Sequence, residues 1–126
     1  MSRLFFSLII LGVIASTVSA TPKQVARFLS VMEEMPLMPG LEEVMDSAVT
    51  FDGPSGRIIE AFAAGSVRGE DVLMFYEAIL PQLGWIRQAN GKYRRDAEIL
   101  FIEVSPTLAG TTGASAQFVL RPAKGQ

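Results

Sequence analysis

The most regular hydrophobic pattern in the chain predicts an amphipathic helix over residues 70–83. Apolar side chains recur there every three or four residues and form one stripe along the helix. Glu70 and Asp71 stand in the first turn, where the helix dipole favours acidic side chains, and Gly84 follows as a stop. The stripe consists of Val72, Phe75, Tyr76, Ile79, Leu80 and Leu83.

A second helix is predicted from Thr21, which can cap a helix that has Pro22 in its first position and Gln24 in its first turn. The apolar residues that follow keep helical spacing as far as Pro36 and Pro39, each of which disfavours helical backbone in the residue before it. These apolar residues are Val25, Phe28, Leu29, Met32 and Met35.

The remaining pattern predicts antiparallel strands joined by tight turns. Strand composition is found at residues 48–51, 57–64, 85–89, 92–95, 98–104 and 116–120. The turn-forming residues 52–56 lie between the first two strands and predict a hairpin. Asn90-Gly91 lies between the third and fourth strands and predicts a second hairpin. Residues 41–45 are predicted to form one helical turn.

These elements predict an α+β fold, in which a helix packs on one face of an antiparallel meander sheet of about four to six strands, preceded by an N-terminal helix. The chain is expected to divide into a signal peptide at 1–20, the N-terminal helix and a Met/Pro-rich segment at 21–47, and a single α+β domain at 48–126. Residues 21–126 are expected to fold as one unit. The expected core comprises Val72, Phe75, Tyr76, Ile79, Leu83, Trp85, Ile99, either Phe101 or Ile102, Phe118 and Leu120.

The first twenty residues have the features of a secretory signal peptide. An almost unbroken apolar run at residues 4–18 follows Arg3, and Val18-Ser19-Ala20 places short side chains at a cleavage site. The run is shorter than the ~20 residues that a helix needs to cross a bilayer. We expect cleavage between Ala20 and Thr21 and a soluble periplasmic or secreted protein; a single-pass membrane anchor is the alternative.

The absence of histidine and cysteine from the 126 residues narrows the possible functions. It excludes an imidazole base, a thiol nucleophile, a disulfide framework and a zinc finger. The adjacent carboxylates Glu33/Glu34 and Glu42/Glu43 cannot face each other across a groove, as a two-carboxylate hydrolase requires. The chain is therefore expected not to be an enzyme and to hold neither a cofactor nor a metal.

One candidate partner surface is the Met/Pro segment, which we define as residues 32–41. Its large apolar side chains include methionines, which adapt to the shape of a partner. The residues expected to contact a partner are Met35, Leu37, Met38 and Leu41. In the alternative interpretation the segment folds back and closes one end of the sheet.

The other candidate surface is basic. Residues 21–83 carry four basic and ten acidic side chains, whereas residues 84–126 carry six basic and three acidic ones. Arg87, Lys92 and Arg94 flank the second predicted hairpin and are expected to form a patch for an anionic partner. The alternative is that these charges only protect an edge strand from aggregation.

One stretch of the sequence resembles a module of small exported bacterial proteins, which are largely uncharacterised. The resemblance rests on Phe75-Tyr76 in the predicted helix, on the exit Leu80-x-x-x-Gly84-Trp85, and on the hairpin that follows. With Phe51-Asp52 and Gly56-Arg57-Ile58 it covers roughly residues 50–104. The resemblance implies a shared fold and brings no catalytic residues with it.

The expected function is that of an exported, non-enzymatic binding or assembly protein of the bacterial envelope. An envelope protein is the expected partner, nucleic acid is not expected, and the oligomeric state is left open. The alternative is a periplasmic carrier of a lipid or another small apolar ligand. A carrier should have an apolar cavity of about 300 Å³ or more, whereas an assembly protein should have an exposed apolar patch.

Overall fold

The computed structural model describes residues 27–106 and 113–123. The predicted signal peptide and its cleavage site after Ala20 lie outside these residues. Within them the protein is mostly β, because 55% of the residues are in strands and 15 are helical. The prediction of an α+β fold with an N-terminal helix is therefore wrong.

Nine strands and one helical region follow each other along the described chain. The strands are β1 Phe28–Leu29, β2 Met32–Pro36, β3 Glu42–Glu43, β4 Val49–Gly53, β5 Gly56–Gly65, β6 Ile86–Ala89, β7 Lys92–Arg95, β8 Glu98–Pro106 and β9 Ala114–Pro122. The helix α1, Gly69–Ile79, lies between β5 and β6 and continues as a 3₁₀ helix over Leu80–Leu83. Gly84, with φ at +87°, ends it.

Seven of the strands form one antiparallel sheet in the order β3-β5-β9-β8-β7-β6, and β4 also pairs with β5. The predicted count of four to six strands is too low because β5, with ten residues, is long enough for two partners on one edge. β3 pairs with Ala63 and Ala64, whereas β4 pairs with the stretch from Gly56 to Glu60. The predicted helical turn at 41–45 is wrong, since β3 lies there.

Both hairpins predicted from turn residues are confirmed, as β4–β5 and as β6–β7. Gly91, in the turn of the second hairpin, has φ at +70°. A side chain there would also collide with the Ile102 carbonyl oxygen, so the turn needs glycine for two reasons. From β6 to β9 each strand pairs with the next, which makes this half of the sheet a meander.

The predicted N-terminal helix is replaced by a hairpin of β1 and β2 over the described part of its range. Leu29 and Met32 are three residues apart, and they face each other across the turn at Ser30 and Val31. Apolar residues three positions apart lie on the same side of a helix, and they also face each other across a two-residue hairpin turn. This spacing alone therefore does not distinguish the two structures. Glu43 stabilises this turn, because its carboxylate accepts hydrogen bonds from the Ser30 backbone N–H at 3.0 Å and hydroxyl at 2.8 Å.

The core lies between one face of the large sheet, here called the inner face, and the elements that cover it. Ala61 of β5, Ile102 of β8 and Phe118 of β9 point from the inner face into the core. α1 supplies Val72 and Tyr76, and the hairpin of β1 and β2 supplies Leu29, Met32 and Met35 to the same cluster.

Six of the residues predicted for the core are confirmed as buried: Val72, Tyr76, Trp85, Ile102, Phe118 and Leu120. Phe75 and Ile79 are partly buried and pack against the core. Leu83 is 36% exposed, and its place in the core was wrongly predicted because the helix tightens to a 3₁₀ turn there. Ile99 and Phe101 lie on the opposite, outer face of the sheet, because they alternate with the buried Leu100 and Ile102.

Candidate functional site

Tyr76 holds the Met/Pro segment against α1 with both hydrogen-bonding capacities of its hydroxyl. The hydroxyl donates to the Pro36 carbonyl oxygen at 2.8 Å and accepts from the Met38 backbone N–H at 3.2 Å. Its ring packs edge to face on Phe75 and on Phe118, with centroids 5.0 and 5.2 Å away. Burial raises the pKa of Tyr76 far above its ordinary value, so the hydroxyl remains protonated and keeps both bonds.

The four residues of the Met/Pro segment that were predicted to contact a partner differ in how far they are buried. Met35, Leu37 and Leu41 are buried in the core, with exposed fractions of 3%, 9% and 2%. Met38 is half-buried and packs against the core from its edge. Of the four, Met38 is thus the one whose side chain a partner reaches without rearrangement of the segment.

A groove of about 850 Å³ lies along the Met/Pro segment, and we call it the segment groove. Residues 36–42 form one side of it, the end of β5 forms its floor, and Phe75 and Ile79 of α1 contribute apolar side chains. Arg27 and Glu42 lie at the groove and form an ion pair at 3.2 Å in which both side chains are exposed. The groove is therefore largely apolar, with a pair of opposite charges at its rim.

The groove depends on a close crossing of two glycines. A Cβ atom at Gly65 of β5 would overlap the carbonyl oxygen of Gly40, and a Cβ atom at Gly40 would lie 2.7 Å from the Val67 side chain. Gly40 itself has φ at +95°, which is unfavourable for other residues. The two glycines thereby set how closely the Met/Pro segment approaches the sheet.

The predicted basic patch is divided between the two faces of the sheet. Arg87 pairs across the hairpin with the buried Tyr93, so it lies on the inner face, where it forms an ion pair with Glu77 of α1 at 3.4 Å. Lys92 and Arg94 alternate with Tyr93 and lie on the outer face. The three basic residues therefore do not form one patch.

Arg121 joins Lys92 and Arg94 instead, and we call these three the outer basic cluster. Arg121 pairs with Ile99, which pairs in turn with Arg94, so all three lie on the outer face. Lys92 and Arg121 contact the ring of Phe101, with Nζ 5.7 Å and Cζ 4.5 Å from its centroid. A shallow depression of about 260 Å³ lies among these side chains.

Sequence reasoning missed Arg121 because it lies 27 positions after Arg94 and its place depends on the register between β8 and β9. A local signal existed, since Phe118 and Leu120 are apolar and their alternation puts Arg121 on the opposite face.

Arg95 is the centre of a third cluster, which connects β7 to the N-terminal hairpin. Its guanidinium lies 4.4 Å from the Trp85 ring centroid, 2.9 Å from the Glu34 carboxylate and 3.2 Å from the Leu83 carbonyl oxygen. The Arg95 guanidinium therefore stabilises the contact between β7 and the N-terminal hairpin. Among residues 27–106 and 113–123, no group of three His, Cys, Asp or Glu side chains is arranged to hold a metal ion.

Comparisons with protein-family models, with curated proteins and with solved structures found no match for this chain. The resemblance to small exported bacterial proteins therefore stays a prediction. In the part of the chain that the structure describes, no helix combines the length and apolar character needed to cross a membrane.

Proposed function

We propose that this chain is an exported, non-enzymatic binding or assembly protein of the bacterial envelope, and that the segment groove holds an apolar segment of a partner protein. The observation that carries the proposal is the groove of about 850 Å³ beside the Met/Pro segment. Its volume is in the range of about 300–1,000 Å³ that is usual for binding pockets. The apolar run and short side chains of residues 1–20 support export and location in the envelope.

The groove is suited to binding because its wall is held in place before a partner arrives. The hydrogen bonds of Tyr76 to Pro36 and Met38 fix the Met/Pro segment, so little conformational entropy is lost on binding. Met38, which is half-buried, is the flexible part of the wall and can adapt to different apolar side chains.

A small apolar ligand or lipid in the same groove is the second candidate, and the Arg27–Glu42 ion pair favours it. An acyl chain would lie along Phe75 and Ile79, and its polar end would meet the exposed guanidinium or carboxylate at the rim. The periplasmic carrier is therefore the alternative to the assembly protein, and both use one site.

The two candidates are separated by affinity capture from envelope extract, with mass spectrometry of the bound proteins and lipids. Ile79→Ser and Met38→Ser alter the groove, and Met74→Ser is the matched control on α1, because Met74 is 65% exposed and does not line the groove. Thermal unfolding of each variant shows that the domain is folded.

The proposal predicts a protein that wild type and Met74→Ser recover and both groove variants lose. A stoichiometric lipid with the same dependence on Ile79 and Met38 would favour the carrier. Equal recovery by the groove variants and the control would show that the groove is not the binding site.

A further inference from the structure

We propose that the outer face of the sheet binds the surface of a lipid bilayer that contains anionic lipids, through the outer basic cluster and the apolar side chains beside it. This proposal is independent of the segment groove, because the groove and the depression at the outer basic cluster share no lining residue.

The three cations come from three adjacent strands and stand at one end of the outer face. Lys92 and Arg94 project from β7, Ile99 and Phe101 project between them from β8, and Arg121 projects from β9. Because directly paired residues in a sheet lie side by side, the three cations are neighbours on one part of the face, and Lys92 and Arg121 flank the Phe101 ring.

None of these three cations forms an ion pair with an acidic side chain of the described residues. The four ion pairs found there involve Arg27, Arg68, Arg87 and Arg95. Arg94 donates one hydrogen bond, to the Asp96 carbonyl oxygen at 3.4 Å. Three neighbouring positive charges repel one another, so an anionic surface that approaches them is bound with favourable electrostatic energy.

Apolar side chains accompany the cations on the same face. Ile86 pairs with Arg94 and is 67% exposed, while Phe51 pairs with Ile58 at the far edge and is 53% exposed. Ile58 alternates with the buried Ile59 and therefore lies on the outer face, and Phe51, its partner on β4, lies on the same face. Cations mixed with exposed aliphatic and aromatic side chains are typical of protein surfaces that lie in the headgroup region of a membrane.

Acidic side chains also lie on the rest of the outer face, among them Glu60 of β5 and Glu103 of β8, and the exposed Glu103 stands two residues beyond Phe101. Glu60 lies further along β5, and its carboxylate accepts a hydrogen bond from the Gln117 amide at 2.6 Å. The protein as a whole carries a formal net charge of −2, so attraction to anionic lipid depends on the local cluster and not on total charge. This dependence makes the cluster testable by substitution.

The experiment is co-sedimentation of the protein, as its host processes it, with vesicles of phosphatidylcholine alone and of phosphatidylcholine mixed with phosphatidylglycerol. The measured quantity is the ratio of the two partition coefficients, in which binding that is independent of lipid charge cancels. Arg121→Gln and Lys92→Gln are each expected to lower the ratio about fivefold, and the double variant about 25-fold.

Arg87→Gln is the matched control, because Arg87 lies in the same hairpin as Lys92 but points to the inner face. It is expected to leave the ratio unchanged. If loss of the Phe101 contact destabilises Arg121→Gln, then Arg94→Gln tests the same cluster, since the Arg94 side chain is exposed. Ile86→Ser is expected to lower both partition coefficients and to leave their ratio unchanged.

A ratio near one for the wild-type protein would overturn the proposal, as would equal losses in Arg87→Gln and the cluster variants. Binding to soluble heparin while vesicles leave the protein in the supernatant would indicate a soluble polyanion instead of a membrane. Displacement by inorganic phosphate beyond that by sodium chloride of equal ionic strength would indicate a small-anion site and would also overturn it.

Discussion

Replacement of Tyr76 by phenylalanine tests how the Met/Pro segment is held on the domain. The substitution removes a hydroxyl that donates to the Pro36 carbonyl oxygen at 2.8 Å and accepts from the Met38 N–H at 3.2 Å. The ring, which is 1% exposed, keeps its packing on Phe118. The change therefore isolates two hydrogen bonds from the hydrophobic contribution of the side chain.

The expected loss in the free energy of unfolding is about 2–3 kcal/mol. Each hydrogen bond contributes about 1 kcal/mol, and a buried backbone group left without a partner adds further cost. The carbonyl and N–H at issue belong to the Met/Pro segment beside the open groove, so water can reach part of the site. Because water can replace part of the lost hydrogen bonding, the expected loss in the free energy of unfolding is smaller than for two fully buried hydrogen bonds.

Urea unfolding followed by tryptophan fluorescence measures the effect, since Trp85 is the one tryptophan and is buried. Tyr93→Phe is the matched control, because the Tyr93 side chain is also buried and its hydroxyl makes no hydrogen bond with another described residue. It is expected to change stability by less than about 0.5 kcal/mol. Equal effects of Tyr76→Phe and Tyr93→Phe would show that the two hydrogen bonds of the Tyr76 hydroxyl do not stabilise the domain.

Three further predictions concern stability. Stability should fall as the pH rises above about 10, because the raised pKa of Tyr76 makes the folded protein hold a proton that the unfolded chain loses, and this proton contributes up to about 1.4 kcal/mol per pH unit. Burial also raises the pKa of Tyr93, so urea unfolding between about pH 9 and 11 should show a shallower fall in Tyr76→Phe but not a flat profile. Gly65→Ala should cost about 1–3 kcal/mol in a thermal unfolding assay, since its methyl group meets a backbone carbonyl, whereas Gly53→Ala has ordinary space and should cost less. Arg95→Gln should lower the free energy of unfolding by about 1–2 kcal/mol in the same assay, because this side chain is 21% exposed and makes three contacts. Arg68→Gln, which removes an exposed ion pair, should lower it by less than about 0.5 kcal/mol.

The N-terminal region, where a helix was predicted and a hairpin is found, shows the limit of prediction from local sequence patterns. The spacing of Leu29, Met32 and Met35 satisfied a helix, and the same spacing also arises in a hairpin with a two-residue turn. The hairpin depends on contacts with distant residues, one of which is made by Glu43, whose carboxylate binds the turn at Ser30 from 13 residues further along the chain. No window of the N-terminal sequence contains that contact.

The candidate sites show the same limit. Alternation along β7 was enough to place Lys92 and Arg94 on one face, since it depends only on neighbouring residues. The separation of Arg87 from them, and the arrival of Arg121 beside them, required the pairing of β6 with β7 and of β8 with β9. The segment groove likewise required Tyr76 of α1 to meet Pro36, 40 residues earlier.

The elements whose signals are local follow from the amino-acid sequence alone. The helix over 70–83 ends at Gly84, and the two hairpins form at turn residues, because periodicity, left-handed backbone and turn chemistry act within a few residues. Three other features required long-range packing: the β structure of the N-terminal region, the burial of Met35, Leu37 and Leu41, and the composition of the outer basic cluster. These features depend on contacts between distant residues, whose partners are chosen only when the whole sheet and its covering elements pack together.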